Sequence, residues 1–491
     1  MTTSFIRLLA TFVVASALCA EPTSRPNVLW IIADDLSPDL ACYGEPTAAA
    51  SATPHLDALA KEGVRFTNVF GTASVCSPNR SGFNTGMYQT SIGAQNHRTL
   101  VKRPLPDGVV TIPELFRQAG YFVSNGRPSS PDEAAGQPLE KVGKLDWNFE
   151  VPGEPFDGVD WSQRAPGQPF FAQVNIDEPH RTWTRDMRRP VDPSKVELPP
   201  YYPEHPVLRV DWSRYLEEVQ LFDRQVGAIL KRLEREGLAD NTVVLVFGDN
   251  GRSFPRDKGY LYDGGLRVPL IMRWADGRNA GQVDERLISM IDLGPTCLDI
   301  AGVTLPDYLQ GRSFADDTTP GRERVFSAKD RTGVVPDRIR SVRTTELKYI
   351  RNFTSGNPYL PTNDYTLLVE PAVAVMMTHH ERTGLDDYVS RFVGNGRPAE
   401  ELYDIRADPN EMNNLAGDAR FTDTLATFRQ QLNDWVAETG DLGVHPEDPA
   451  EIAPYGKWLD GYLGKLRRRM GVSELTAPTM YSYWLNKYDL L

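Results

Sequence analysis

Three stretches of the chain run largely apolar and then end on carboxylates, amides or imidazole: "PNVLWIIADD" at 26–35, "PFFAQVNIDEPH" at 169–180, broken only by Gln173 and Asn175, and "TVVLVFGDN" at 242–250. A run that is apolar at odd and even positions alike suits a strand buried on both faces, which is the condition of a central strand in a parallel sheet. Helical signals separate these runs. In "TPHLDALAKEG", Thr53 is the expected cap, Pro54 the first helical residue and Gly63 the stop. Thr111 and Glu114 have the spacing of a capping box ahead of a short helix and a strand from Tyr121. Between Asp211 and Gly237, Leu216, Val219, Phe222, Val226, Ile229, Leu230 and Leu233 recur at helical spacing.

Strand and helix in alternation predict an α/β fold, with a largely parallel central sheet and helices on both faces. In such sheets ligands gather beyond the carboxyl ends of the strands. Asp34, Asp35, His180, Asp249 and Asn250 all stand at such ends, so residues distant in sequence are predicted to meet on one edge.

The texture changes after Asp330. "RIRSVRTTELKYIRNF" alternates as a strand exposed on one face does, and an amphipathic helix is expected near Thr422 to Val436. This predicts a smaller C-terminal unit, an antiparallel sheet with a helix packed on it. Residues 190–206 and 355–398 read as long loops of the kind that shape substrate entry. The expected organisation is a catalytic domain over 25–330 and an α+β subdomain over 331–491.

Residues 1–20 have the form of a cleavable export signal, with Arg7 before an apolar run from Leu8 to Leu18 and small residues after it. The run is too short to span a bilayer, and Ala17 and Ala20 are the cleavage candidates. Leu18 is too large for lipoprotein processing at Cys19. A periplasmic or secreted protein is expected, with no membrane insertion once the signal is removed. Four cysteines in 491 residues cannot make a disulfide scaffold. Cys42 and Cys297 are left as either a pair or two isolated thiols. A net charge of −13 argues against nucleic acid or an anionic membrane as the main partner.

Asp34, Asp35, Asp249 and Asn250 supply hard oxygen ligands, a set suited to Ca²⁺ or Mg²⁺ rather than zinc. A lone Asp pair is more often a helix cap or a solvated loop, but two pairs at strand ends favour a metal. Cys76 is harder to place. Buried thiol, metal ligand and nucleophile are all open to a cysteine followed by "SPNR".

That stretch, Cys76-Ser77-Pro78-Asn79-Arg80, resembles the maturation signature of the sulfatase family, in which the cysteine is converted to formylglycine. "PNVLWIIADD", "DEPHR" and "GDNGRSFPRDKGYLYDGGLRVPLI" resemble further family segments in the same order, so the resemblance covers most of the chain. The second and third look nearest the branch that includes N-sulfoglucosamine sulfohydrolase. The resemblance implies an alkaline-phosphatase-like fold and hydrolysis of sulfate esters or sulfamates of a sulfated saccharide. It implies Ca²⁺, with Mg²⁺ as the alternative, held by Asp34, Asp35, Asp249, Asn250 and the modified Cys76. Arg80 and Lys258 would bind sulfate, His180 would serve as the general acid, and a formylglycine-generating or equivalent enzyme would be the maturation partner.

One departure stands out. The family carries Gly-Lys-x-His after the strand that begins at Tyr121, and this chain reads "SNGRPSS", with Arg127 at the lysine and Ser129 at the histidine. Arg127 is then the expected sulfate contact, and His97 is a stand-in for the imidazole, a substrate contact or a plain surface histidine. His55, on the helix after Thr53, reads as structural. Two alternatives stay open: a phosphodiester or phosphonate monoester hydrolase of the same superfamily, and a sulfated-glycan binding relative without turnover.

Overall fold

The computed structural model describes residues 25–129, 136–360, 364–384, 387–394 and 396–491, so the expected export signal lies outside the described residues. Eight strands form the central sheet in the order β10-β2-β9-β8-β1-β7-β4-β5. They are β1 (Asn27–Ala33), β2 (Val64–Phe70), β4 (Phe122–Arg127), β5 (Lys141–Val142), β7 (Phe170–Ile176), β8 (Thr242–Gly248), β9 (Arg267–Arg273) and β10 (Val283–Ser289). β8, β1, β7 and β4 form a parallel block, and β9 runs against both β8 and β2. The predicted three apolar runs are β1, β7 and β8, side by side at the centre.

Their composition follows from where their side chains go. Leu29, Ile31 and Ala33 enter one core with the long helix α4 (Pro206–Arg235) and with α1 (Pro54–Glu62). Val28, Trp30 and Ile32 enter the other, with α3 (Ile112–Gln118) and α6 (Leu293–Ile300). Both faces of β1 are thus apolar and the run has no alternation to show, while in β7 the buried Gln173 and Asn175 are tolerated because each has a side-chain partner, Asn84 for Gln173 and Arg80 and Asn125 for Asn175. On α4, Leu216, Val219, Phe222, Val226, Ile229 and Leu233 form the stripe that lies on the sheet.

The second sheet is antiparallel, β11 (Val325–Lys329), β12 (Ile339–Arg343), β13 (Leu347–Asn352) and β14 (Glu400–Asp404) in that order. Helix α10 (Thr422–Glu438) covers it, with Phe428, Leu432 and Trp435 buried against Val342, Tyr349 and Leu402. A two-stranded piece, β3 (Arg103–Pro104) with β6 (Phe149–Glu150), and the single-turn helix α5 (Asp263–Leu266) complete the smaller elements around the sheet.

The segment 355–398 corrects the loop expectation. It contains α7 (Asp364–Val369), α8 (Pro371–Thr383) and α9 (Tyr388–Gly394), and α8 packs against α4. The Gly, Pro and Asn residues at 356–363 suggest a loop, yet Ala372, Val373, Ala374, Val375 and Met376 are buried. The first half of α8, residues 371–376, is apolar and buried all round, so its period is masked as that of a central strand is, and the polar residues fall in its last turns. Two further helices end the chain, α11 (Pro449–Met470) and α12 (Ala477–Lys487), and α12 packs on α8. Cys42, Cys76 and Cys297 are free, which resolves the pairing question in favour of isolated thiols.

Candidate active site

Helix α2 (Cys76–Thr85) begins with the cysteine, and every residue of it is buried. Its first turn is pinned from beneath. Asn79 accepts from the backbone N–H groups of Thr72 and Ala73 and donates to the carbonyl of Asp249 at 2.5 Å. Arg80 donates through Nε to Asp249 Oδ2 at 2.7 Å and through Nη1 to Asn175 Oδ1 at 2.5 Å. The helix start is thereby tied to the ends of β7 and β8.

The strand-end residues meet as their positions in the alternation predict. Asp35 is left-handed, with φ of 70°, and its N–H donates to Asp249 Oδ1 at 3.0 Å. Asn250 Nδ2 donates to Asp35 Oδ1 at 2.9 Å. Lys258 Nζ donates to the same oxygen at 2.5 Å. His180 Nε2 lies 3.9 Å from Asp35 Oδ2, while its Nδ1 is 2.5 Å from the carbonyl oxygen of Arg181.

Whether these residues suit a divalent cation is tested by the atoms left over. Asp34 Oδ1, Asp35 Oδ2 and Asn250 Oδ1 are buried without a hydrogen-bond partner. Asp34, Asp35 and His180 each present an atom within 4.8 Å of the others. Orphaned buried oxygens are expensive, and a hard cation satisfies them. Charge points the same way: burial and the neighbouring Asp34 push the Asp249 carboxyl up to about 6, against the pull of Arg80 and Lys144. Arg80 Nη2 is also buried and unpartnered, a donor free for an anion.

His97 faces the cysteine, with Nε2 at 3.8 Å from Cys76 Sγ, and Arg98 Nη2 lies 3.9 Å from the same sulfur. Burial raises the Cys76 thiol above its ordinary range, while Lys144, Lys258 and Arg98 pull it back. Burial and the adjacent Arg98 hold His97 well below the usual histidine range.

Arg127 is not drawn into this cluster. It ends β4, pairs with Asp177 Oδ2 at 2.9 Å, and its side chain is 42% exposed. Ser129 is exposed as well. The cation that meets the strand-end carboxylates from this side is Lys144, whose Nζ donates to Asp34 Oδ2 at 2.5 Å. Residues Gly143-Lys144-Leu145-Asp146 follow β5, which pairs back on the end of β4, Arg127 opposite Lys141. A Cβ on Gly143 would fall 2.2 Å from Asn125 Oδ1, so the return is a close passage that only glycine allows. Asp146 Oδ2 then lies 3.7 Å from both Lys144 Nζ and Arg98 Nε. Sequence reasoning missed Lys144, Asp146 and Arg98, although "GKLD" repeats the first three positions of the expected Gly-Lys-x-His pattern farther along the chain.

A family model described as Sulfatase matches residues 26–135 and 156–303. An ulvan-active sulfatase from Formosa agariphila is 31% identical over 460 residues, which span 86% of this chain and 76% of the relative. N-sulphoglucosamine sulphohydrolase from Homo sapiens is 29% identical over 481 residues, 87% of this chain and 93% of that one. Among solved structures, a phosphonate monoester hydrolase from Silicibacter pomeroyi superposes with a TM-score of 0.61 at 20% identity, covering 85% of this chain and 96% of its own, a likeness of fold alone.

Proposed function

The chain belongs to the sulfatase family and is a sulfuric ester hydrolase, and from that premise we propose an exported, metal-dependent enzyme that removes sulfate from sulfated carbohydrate through Cys76 matured to formylglycine. The observation that carries this reading is one buried convergence: Cys76 at the start of α2, three unpartnered oxygens on Asp34, Asp35 and Asn250, and the cations Arg80, Lys144 and Lys258 around them. The sulfated-carbohydrate class is supported by the two curated relatives, one ulvan-active and one a sulphoglucosamine sulphohydrolase. Among the described residues no helix is long and apolar enough to cross a membrane.

Formylglycine at position 76 supplies, as its hydrate, one hydroxyl to attack sulfur and a second whose oxygen can expel sulfate, a division of labour that a thiol cannot offer. Ca²⁺, or Mg²⁺ in its place, would be held by Asp34, Asp35, Asp249, Asn250 and the modified residue 76 and would supply Lewis acidity to the nucleophile and a sulfate oxygen. The protein's own groups do the rest. Arg80 presents its free Nη2 to the anion, and Lys144 and Lys258 neutralise charge as it builds on the sulfuryl oxygens. His180 donates a proton to the leaving oxygen from Nε2, with Nδ1 turned to the Arg181 carbonyl so that the ring holds its orientation. Asp146 keeps Lys144 and Arg98 directed at the site.

Mass spectrometry of the peptide containing Cys76 from the native host tests the reading, since formylglycine is lighter than cysteine by about 18 Da. An unmodified thiol in the native protein defeats the covalent mechanism. A comparison of 4-nitrophenyl sulfate, sulfated saccharides and phosphodiesters tests the substrate class, and a clear preference for phosphodiesters would favour the phosphonate-hydrolase alternative that shares the fold.

A further inference from the structure

Helix α11 carries a row of aromatic rings that nothing in the reaction above uses. Tyr455, Trp458 and Tyr462 follow one another at helical spacing along one stripe, and Lys465 continues it. Tyr455 and Trp458 are stacked with centroids 5.6 Å apart, Trp458 and Tyr462 with centroids 5.7 Å apart at 8°. Tyr365 of α7 closes the far side, 6.5 Å from Tyr462. Only the first ring is buried: Trp458 is 49% exposed and Tyr462 41%. A helix has no folding reason to leave adjacent Trp and Tyr faces in water, and such patches mark binding surfaces.

The row begins at the site. His97, 3.8 Å from Cys76 Sγ, exchanges backbone contacts with Arg331: its N–H donates to the Arg331 carbonyl, and Arg331 Nη1 donates to the His97 carbonyl, each at 2.9 Å. The Arg331 guanidinium lies over the Tyr455 ring at 5.4 Å. Glu447, just ahead of α11, takes both Arg331 Nε and Nη2, and Arg103 pairs with Glu451 at 2.8 Å, so the start of the helix is tied to the arginine that holds His97. Cysteine, histidine, arginine and the aromatic stripe thus form one continuous path from the reacting position outward.

We infer that Trp458 and Tyr462 form a saccharide-binding platform for the sugar rings beyond the one that loses sulfate. A pyranose ring has an apolar C–H face that lies on an aromatic plane and a polar rim that stays hydrated, which suits half-exposed Trp and Tyr better than a dry protein contact does. The exposed ammonium of Lys465 at the end of the stripe offers a counter-charge to a sulfate on a neighbouring sugar. The site is therefore built for an oligosaccharide rather than a free monosaccharide. This inference rests on the sulfated-carbohydrate reading above.

The test compares kcat/KM for a sulfated tetrasaccharide and for the matching sulfated monosaccharide, both prepared from ulvan or heparin, whichever the wild-type enzyme cleaves. Wild type should prefer the longer substrate. In the double variant Trp458→Ala, Tyr462→Ala the ratio should fall about tenfold, the effect of losing stacking contacts of this kind, with the loss mainly in KM. Trp458→Phe should recover part of it. An unchanged ratio in the double variant overturns the inference, as does a wild type with no length preference. A fall in molecular mass from dimer to monomer on substitution, measured by light scattering, would instead make the row an interface between copies and also overturn it. Thermal unfolding of the variants separates a folding defect from a binding one. A wild type that hydrolyses 4-nitrophenyl sulfate but no sulfated saccharide of either length defeats the carbohydrate reading itself, an outcome distinguishable because it needs no variant.

Discussion

Lys144 Nζ donates to Asp34 Oδ2 across 2.5 Å, so the first strand-end carboxylate is met by an ammonium delivered from the edge of the sheet. Burial by itself would raise the Asp34 carboxyl, yet Lys144, His180, Arg80 and Lys258 together bring it well below the usual range. On the reading proposed above, Lys144 would take the part that the family's Gly-Lys-x-His pattern gives to its lysine.

Lys144→Ala should therefore lower kcat/KM by about a hundredfold or more, the scale of losing one preorganised charge at a reacting centre. Arg127→Ala, at an exposed ion pair, should change stability by under about 1 kcal/mol and activity by no more than a few-fold. Steady-state kinetics with 4-nitrophenyl sulfate decides between them. A large loss in Arg127→Ala with little in Lys144→Ala would return the role to Arg127.

Cys76→Ala should abolish turnover while the protein still folds, because the residue contributes only a small buried side chain to a helix start that Asn79 and Arg80 hold in place. Near wild-type turnover in this variant, with circular dichroism confirming the fold, would rule out covalent chemistry at position 76.

Chelation should remove activity and lower the melting temperature, and Ca²⁺ should restore both. A cation at a hundred times its Kd stabilises a folded protein by about 2.7 kcal/mol through mass action. Asp35→Asn should lose the Ca²⁺-dependent shift in melting temperature, since Asp35 Oδ2 is one of the orphaned oxygens. A full shift in that variant would place the ion elsewhere.

Acid stability should carry the mark of Asp337. Burial tends to raise this carboxyl, but Lys329 and Arg397, at 3.2 and 2.8 Å, and the Thr354 hydroxyl hold it at about 2. Because its folded value is depressed, the stabilisation is fully present above the unfolded value near 4 and is lost as pH falls from there toward 2. The expected contribution is roughly 2 kcal/mol. Asp337→Asn should be less stable at neutral pH and should flatten the dependence between pH 4 and 2 in denaturant titrations. An unaltered slope would show that other carboxylates carry it.

What could be read directly from the chain was whatever repeats at short range or ends a strand. The central strands announce themselves because burial on both faces leaves few polar residues in them, and Asp34, Asp35, Asp249 and Asn250 follow because a strand that stops being apolar has reached the sheet's edge. Lys144 was not legible by that rule. It reaches Asp34 only because β5 folds back on β4 and Gly143 slips past Asn125, a pairing of two residues in length that no periodicity signals. Helices α7 to α9 escaped for a different reason: turn formers dominate their approach, and the first turns of α8 are buried all round and have no polar face to display.

The sequence by itself determined the alternating architecture, the acidic strand ends and the cysteine set four residues before an arginine, since each is written in neighbouring side chains and local propensity. Only the tertiary structure decided which cation meets Asp34, that His97 faces Cys76, and that a stripe of rings on α11 connects to His97 through Arg331. Those relationships join segments far apart in the chain, and their geometry is set by packing and strand pairing, which no local pattern encodes.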